Sequence, residues 1–414
     1  MAFALTIKRL SALWPVAGLV LLALNLRAAI TGVSPVLDHL RTVFGLSGLE
    51  VSVLTTLPVL CLGGFAWLAP PLARRVGLDT AVAGGLALVT GGVLLRSVPS
   101  PVALFAGTVL AGAGIAIGNV LVPVAVKRHF PDRTGVFTGL AMMLMAASGA
   151  LAAAMAVPLD TVAGWRVALA AWATPAFLAV LTWALLAWRT RHERPRPLPA
   201  PSDTAHGSLL RSPLAWSVAA FLGTVSLMFY VLVAWLPAIM HDHGFPPAEA
   251  GVMVSAIQII SIPLGLAVPV AAGRLPDQRP LVVGVVATMA VGLTGILLAP
   301  RAGWLWIAIL GLATGSAFPL AFTLLTLRAP NPQVAARLSG MAQTIGYLMA
   351  GIGPLAIGVL HDATGSWRPP LLLLTALILP EAAFGLLAAR SGFVHVPARR
   401  PGPGPRPGWR RGLG

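Results

Sequence analysis

The chain has 414 residues, 57% of them hydrophobic and only 10% charged. A soluble domain carries roughly 25% charged residues, so this composition excludes a self-contained soluble fold and points to a surface that faces lipid. Lysine and arginine outnumber aspartate and glutamate 28 to 12; the basic residues sit in short gaps between apolar runs rather than along one polar face, which argues against nucleic acid as the partner.

A bilayer core takes about 20 apolar residues per helix, and the chain offers twelve such runs. After a short basic N-terminus, residues 1–12, the first six are Leu13–Leu37, Val51–Ala69, Thr80–Leu95, Val102–Val126, Gly135–Pro158 and Arg166–Trp188. The run behind Lys8 and Arg9 is too long for a signal peptide, and many more follow it, so a retained first span is expected. The third run is short and the fifth and sixth nearly touch, which leaves ten or eleven spans as the alternative count. Residues 189–212 include Arg-Pro-Arg-Pro-Leu-Pro-Ala-Pro and read as a linker between bundles. The second six runs are Leu214–Ile239, Ala250–Ala271, Leu281–Ala299, Ala302–Leu327, Ala336–Leu360 and Pro370–Ala389. The expected bundles therefore cover residues 13–188 and 213–389. Residues 390–414, rich in Pro, Gly and Arg, read as a disordered basic tail. The single cysteine, Cys61, lies inside an apolar run, so neither a disulfide framework nor a thiolate metal site is expected.

Lys/Arg bias orients membrane helices. With the N-terminus inside, twenty-two of the 28 basic residues fall in inside segments, among them Arg74, Arg75, Lys127, Arg128, Arg274 and Arg328. Only Arg41, Arg96, Arg166, Arg301 and Arg368 fall outside, and Arg27 lies within a span. Both termini and the linker are thus expected in the cytoplasm, with an even number of spans between them.

The halves repeat. Asp160 to Arg166 and Asp362 to Arg368 share Asp-x4-Trp-Arg at an offset of 202, and Pro35 and Pro237 keep that offset. Gly139 and Gly340, Pro131 and Pro332, and Lys127 and Arg328 are paired at 201. Two parallel, pseudo-symmetric six-helix bundles are the architecture of secondary transporters, with the substrate held between the halves. Gly112, Gly114 and Gly118 allow close helix approach, and Pro123, Pro263, Pro319 and Pro354 interrupt helices.

An ionisable side chain at the bilayer centre costs roughly 2.5–3.5 kcal/mol on insertion scales. Arg27 sits near the middle of the first span, with Thr31 and Ser34 at i+4 and i+7 on its face and Asn25 pointing roughly the opposite way. Arginine keeps its proton, so Arg27 needs a carboxylate, carbonyls, water or an anionic ligand; the alternative is a structural tie to carbonyls and Asn119. Glu381, behind Pro380, is either a proton site or a carboxyl in a wet crevice, the second being favoured because the last span of a bundle is peripheral. The second bundle adds Ser226 and Tyr230, Gln258, and Gln343 with Tyr347 at i+4; Trp235 lies further out, and the fifth span offers Met142 and Met145. All eight histidines fall in loops or tails, and His241-Asp242-His243 is a weak metal pattern better read as a solvated loop.

The segment Leu24-Asn25-Leu26-Arg27-Ala28-Ala29-Ile30-Thr31-Gly32-Val33-Ser34-Pro35 in the first span carries a family likeness. So does Leu338-Ser339-Gly340-Met341-Ala342-Gln343-Thr344-Ile345-Gly346-Tyr347, followed by Gly353-Pro354 and His361 to Trp367. Both segments resemble the cyanate and 2-nitroimidazole transporter family of the major facilitator superfamily, over about Leu24 to Leu387. The resemblance implies an all-α membrane protein of the major-facilitator fold: twelve transmembrane helices in two pseudo-symmetric six-helix bundles, in a bacterial inner membrane. It adds weight to Asn25, Arg27, Gln343 and Tyr347 as substrate contacts. Two departures stand out: Arg74-Arg75-Val76-Gly77 replaces the superfamily's usual Asp-Arg-x-Gly, and Ala28 stands where relatives often have Pro.

The expected function is secondary transport of a small anionic or dipolar solute, a cyanate-like anion or a nitroimidazole-like compound, by alternating access. Uptake and efflux both occur in the resembling family, so a multidrug efflux carrier is the alternative. The expected substrate contacts are Arg27, Asn25, Thr31, Asn119, Tyr230, Gln258, Gln343 and Tyr347, with Glu381 as candidate proton site. No catalytic residue, metal or cofactor is expected, nor any partner beyond the solute and membrane lipid, and the chain is read as a monomer. A polytopic enzyme would want clustered Asp, Glu or His at one interface, a channel a filter loop or charged ring, and an ATP-driven pump Gly-x4-Gly-Lys-[Ser/Thr]; the sequence offers none of these.

Overall fold

The computed structural model describes residues 2–192 and 208–394. Most of the expected linker, and the tail from residue 395 onward, lie outside the described residues. The elements are α1 (Ala2–Thr31), α2 (Leu37–Phe44), α3 (Gly48–Ala66), α4 (Ala69–Val76), α5 (Leu78–Leu95), α6 (Pro101–His129), α7 (Thr134–Ala170) and α8 (Ala173–His192) in the first half. The second half holds α9 (Pro213–Asp242), α10 (Pro247–Arg274), α11 (Arg279–Leu298), α12 (Gly303–Leu327), α13 (Pro332–Thr364) and α14 (Arg368–Ala388). The first helix begins at Ala2, inside the segment expected to precede it, and stops at Thr31 rather than near Leu37. The short α2 that follows has no counterpart among the expected spans.

Among the described residues, ten helical runs are long and apolar enough to cross a membrane. The pair Val53–Ala66 and Ala69–Val76, bent by 53°, makes an eleventh crossing. The 59-residue run Pro131–Arg189 is far longer than one crossing needs and yields the twelfth. It breaks at Gly164, where φ is +81° and ψ 161°, a backbone conformation essentially restricted to glycine. Gly365 takes the equivalent turn in the second half with φ +61°.

These two turns carry the Asp-x4-Trp-Arg repeat; the first is tied to α2 and the second to the end of α9. Asp160 Oδ2 accepts a hydrogen bond from His39 Nδ1 at 2.7 Å, while Trp165 packs edge-on against Phe44 at 5.1 Å. Trp367 Nε1 donates to Asp242 at 2.6 Å. Asp242 is thereby engaged by an indole, and no metal-binding cluster of His, Cys, Asp and Glu exists among the described residues.

The halves meet at the end that carries Arg74, Arg128 and Arg274. There α7 and α10 cross with Gly135 and Gly273 face to face: a Cβ on either would lie 3.1 Å from the other's Cα. Small residues let backbones approach this closely, which favours helix association where apolar burial does not. Lys127 Nζ donates to Thr326 O at 3.5 Å, from α6 to α12. The carboxylate missing from the Arg74–Gly77 segment is supplied two residues later. Asp79 is buried and pairs with His129 at 3.3 Å and Arg128 at 3.8 Å, holding the start of α5 to the end of α6. His129 therefore belongs to a helix terminus rather than to a loop.

Space around Gly164 is open, so a methyl group there meets no atom and any cost is the backbone's alone. Gly164→Ala is expected to destabilise the protein by about 1–3 kcal/mol, read as a lower melting temperature of the purified protein. An unchanged melting temperature would contradict the turn described here.

Candidate functional site

The site begins with the last two turns of α1. A helix places residues i and i+4 on one face, and Arg27 and Thr31 accordingly point the same way. Thr31 Oγ1 donates to its own helix at Arg27 O (3.1 Å) and across to Gly149 O of α7 (2.9 Å). A Cβ at Gly149 would lie in ordinary contact with Arg27 Cβ, at 3.4 Å, so α1 and α7 pack closely here. With its backbone locked against α7, α1 projects the Arg27 side chain toward the second half.

There two aromatic rings receive it. The Arg27 guanidinium carbon lies 5.7 Å from the centre of Phe229, on α9, and 5.5 Å from the centre of Phe318, on α12. Desolvated cation–π contacts are worth about 2 kcal/mol or more. The rings are themselves supported: Phe229 lies edge-on to Tyr230 at 5.3 Å, and Phe318 stacks on Phe322 at 5.1 Å. Among the described residues Arg27 has no ion pair and no hydrogen bond from its guanidinium.

Arg27 lines a cavity of about 590 Å³ between α1 and α7 on one side and α9, α10 and α12 on the other. That volume suits a small organic ligand. Pro35, Ala154 and Ser255 line it toward the end opposite the basic closure, and Gly265 and Pro319 line it near the middle. Met142 and Met145 give it an adaptable apolar wall. Gln258, Ser261 and Thr314 supply polar groups. The Ser261 and Thr314 hydroxyls donate to Ile257 O and Leu310 O at 2.8 Å, which leaves their oxygens as acceptors. No aspartate or glutamate lines the cavity, so its one formal charge is positive.

Of the residues expected from the sequence, Arg27, Thr31, Gln258, Met142 and Met145 come together here. Tyr230 and Tyr347 stand behind the lining, within electrostatic reach of Arg27. Three others lie elsewhere. Asn25 faces α8 and donates to Leu21 O (2.7 Å) and Pro175 O (3.1 Å), because its position on the turn opposes that of Arg27. Gln343 is fully buried and donates to the backbone Asn119 O at 3.1 Å and to Ser339 Oγ at 2.7 Å, so it ties α13 to the backbone of α6 outside the cavity lining; the Asn119 side chain is buried there too, with no hydrogen-bond partner for its Oδ1 among the described residues. The Ser34 side chain lies outside the described residues. Trp235 donates to Pro354 O at 2.8 Å and ties α9 to α13. Glu381 has no exposed surface and no hydrogen-bond partner for either oxygen among the described residues. It occupies an enclosed position in α14 and is not among the residues that line the cavity. The two rings that hold Arg27 were not singled out in the sequence, where Phe229 and Phe318 resemble any apolar residue of a membrane helix.

Comparison with known proteins agrees with this architecture. The chain is 39% identical over 376 residues to the 2-nitroimidazole transporter of Escherichia coli (strain K12), covering 91% of this chain and 95% of that protein. It is 31% identical over 352 residues to the cyanate transport protein CynX of the same organism, covering 84% and 90%. Its fold matches the transporter FucP in the outward conformation with a TM-score of 0.70, at 14% identity over 90% of this chain and 98% of that one. The family profile described as Major Facilitator Superfamily matches residues 19–354. A twelve-crossing helical fold, a central cavity between its halves and these likenesses together make this chain a member of the major facilitator superfamily of transporters.

Proposed function

We propose that the protein carries a small anionic or strongly dipolar organic solute by alternating access, with Arg27 as the group that attracts and orients it. The observation that carries this reading is a guanidinium held between Phe229 and Phe318 in a cavity with no acidic lining. A planar fork of N–H donors suits a carboxylate, cyanate or nitro group, and the flanking rings suit a flat solute. The names of the relatives, a 2-nitroimidazole transporter and a cyanate transport protein, fit that chemistry. Thr31 and Gln258, which line the cavity, complete the proposed contacts, with Tyr230 and Tyr347 behind them. Asn25 and Gln343 act instead by fixing helices, and Asn119 and Glu381 take no part in binding. The protein works as a monomer in a bacterial inner membrane, with both termini and the 189–212 linker in the cytoplasm. The bundles 13–188 and 213–389 are the units that rock. The cavity then faces outward, and the cytoplasmic end is the closed one.

Arg27→Gln removes both charge and fork, while Arg27→Lys keeps the charge. Charged hydrogen bonds contribute roughly 1.5–3 kcal/mol, so Arg27→Gln is expected to weaken binding of 2-nitroimidazole or cyanate about 10- to 100-fold with the protein still folded. Arg27→Lys falls between it and the parent. Binding is read by isothermal calorimetry and folding by gel filtration. A well-folded Arg27→Gln protein that binds and transports normally contradicts the assignment; aggregation of both variants points to a structural tie instead.

Gly135 tests the movement. A Cβ on Gly135 would lie 2.6 Å from Pro269 O, so this end closes only while the position stays small. Gly135→Val is expected to hold α7 and α10 apart at this end and to cut transport, with the protein still eluting as a folded species on gel filtration. Transport that continues undiminished in the folded variant would show that this end need not close so tightly.

A further inference from the structure

A second arginine is buried in the first half, on the other side of α1. Arg96 follows α5 directly and is only 1% exposed. Its Nη1 donates to Ala29 O in the last turn of α1. Carbonyls in a final helical turn lack helical partners, and a cation there is favoured by the helix dipole, so this contact explains one edge of the guanidinium. It leaves the other edge unexplained. Arg96 Nε and Nη2 are buried and have no hydrogen-bond partner among the described residues. These two atoms form the side of the fork that binds an anion through two parallel N–H groups.

Arg96 also lines a cavity of about 30 Å³ walled by α1, α3 and α6. That space holds one or two water molecules or a single halide ion, and it is too small for an organic carboxylate. Its walls are Ala29, Ile30, Leu54, Ala111 and Ile115, with the hydroxyls of Thr55 and Thr108. The hydroxyls donate to Val51 O (3.2 Å) and Leu104 O (2.8 Å) of their own helices, so among the described lining residues the buried donors without a partner are those of Arg96. No carboxylate lines it. Removing an arginine from water with no opposite charge is costly, and a bound anion offsets that cost while accepting both orphan N–H groups.

We propose that Arg96 and the cavity between α1, α3 and α6 form a binding site for one small inorganic anion of halide size, separate from the central cavity and independent of the solute carried there. Chloride is the abundant ion of that class. Once bound it neutralises Arg96 and fixes the α1–α3–α6 junction, two residues along α1 from Arg27.

The test uses the full-length purified protein. At constant ionic strength, exchanging gluconate for chloride is expected to raise the melting temperature saturably, and Arg96→Gln abolishes that rise. Crystals grown in sodium bromide are expected to show an anomalous bromide peak beside Arg96 Nε and Nη2. Should Arg96→Gln fail to fold, the bromide peak in the unaltered protein and the chloride response of Arg96→Lys, expected to be weakened, decide the matter. Equal melting temperatures in chloride and gluconate, with no bromide at Arg96, would overturn the proposal and leave Arg96 as a hydrated cap on α1.

Discussion

A guanidinium cannot discharge itself inside a membrane, and the arrangement around Arg27 follows from that constraint. Arginine stays protonated, and moving its charge away from water carries a large cost unless something answers it. In this protein neither a carboxylate nor a hydrogen bond does so among the described residues. Two aromatic faces and a polar-edged cavity answer it instead, and both require the second half of the molecule. Arg27 thus becomes a point where the halves depend on each other. The same lack of neutralisation gives the cavity a positive interior, which raises the local concentration of anions and aligns dipoles.

Around that charge, the molecule is assembled from contacts that suit movement. Helices in lipid gain little from hiding apolar surface, so close backbone approach and a few hydrogen bonds hold them. Within each half these ties are numerous, as at the Asp160–His39 and Trp367–Asp242 corners. Between the halves toward the basic end the contact is close helix packing, with Gly135 on Gly273, Gly139 on Leu266 and Gly340 on Pro70, and the hydrogen bonds across it include one lysine on a carbonyl and Gln343 on Asn119 O. Breaking them exposes polar groups that water at that end can satisfy. An interface of this kind permits the same two bodies to part at one end and meet at the other.

Much of this was legible in the sequence, and the limits were physical ones. Twelve apolar runs and the parallel repeat were readable because span length and turn chemistry are local properties. The break near Gly164 was legible as the gap between Pro158 and Arg166, whereas the positive φ that makes it carries no outward sign among the four glycines of Pro131–Arg189. Arg27 and Thr31 stood out because a charge in mid-span is rare and i+4 spacing fixes a shared face. Gln343 looks the same in kind, yet it ties α13 to the backbone of α6; polarity within a span does not reveal whether a side chain meets a ligand or a neighbour. Phe229, one position from Tyr230 and about 100° around the helix, is the ring that the Arg27 guanidinium lies over, and its type gives no sign of that. Arg96 read as a loop residue at the outer surface. Its burial arises from the packing of α6 beside it, where Gly107 leaves room for the Arg96 backbone.

The claim on which the account rests is that Arg27 meets the solute directly, between the rings of Phe229 and Phe318. A crystal structure of the protein with an iodinated 2-nitroimidazole, located by iodine's anomalous signal, tests it most directly. The account predicts the nitro oxygens within hydrogen-bond distance of the Arg27 guanidinium and the imidazole ring against one of the two phenylalanines. A ligand bound elsewhere in the cavity, with Arg27 still closed against both rings, would contradict it.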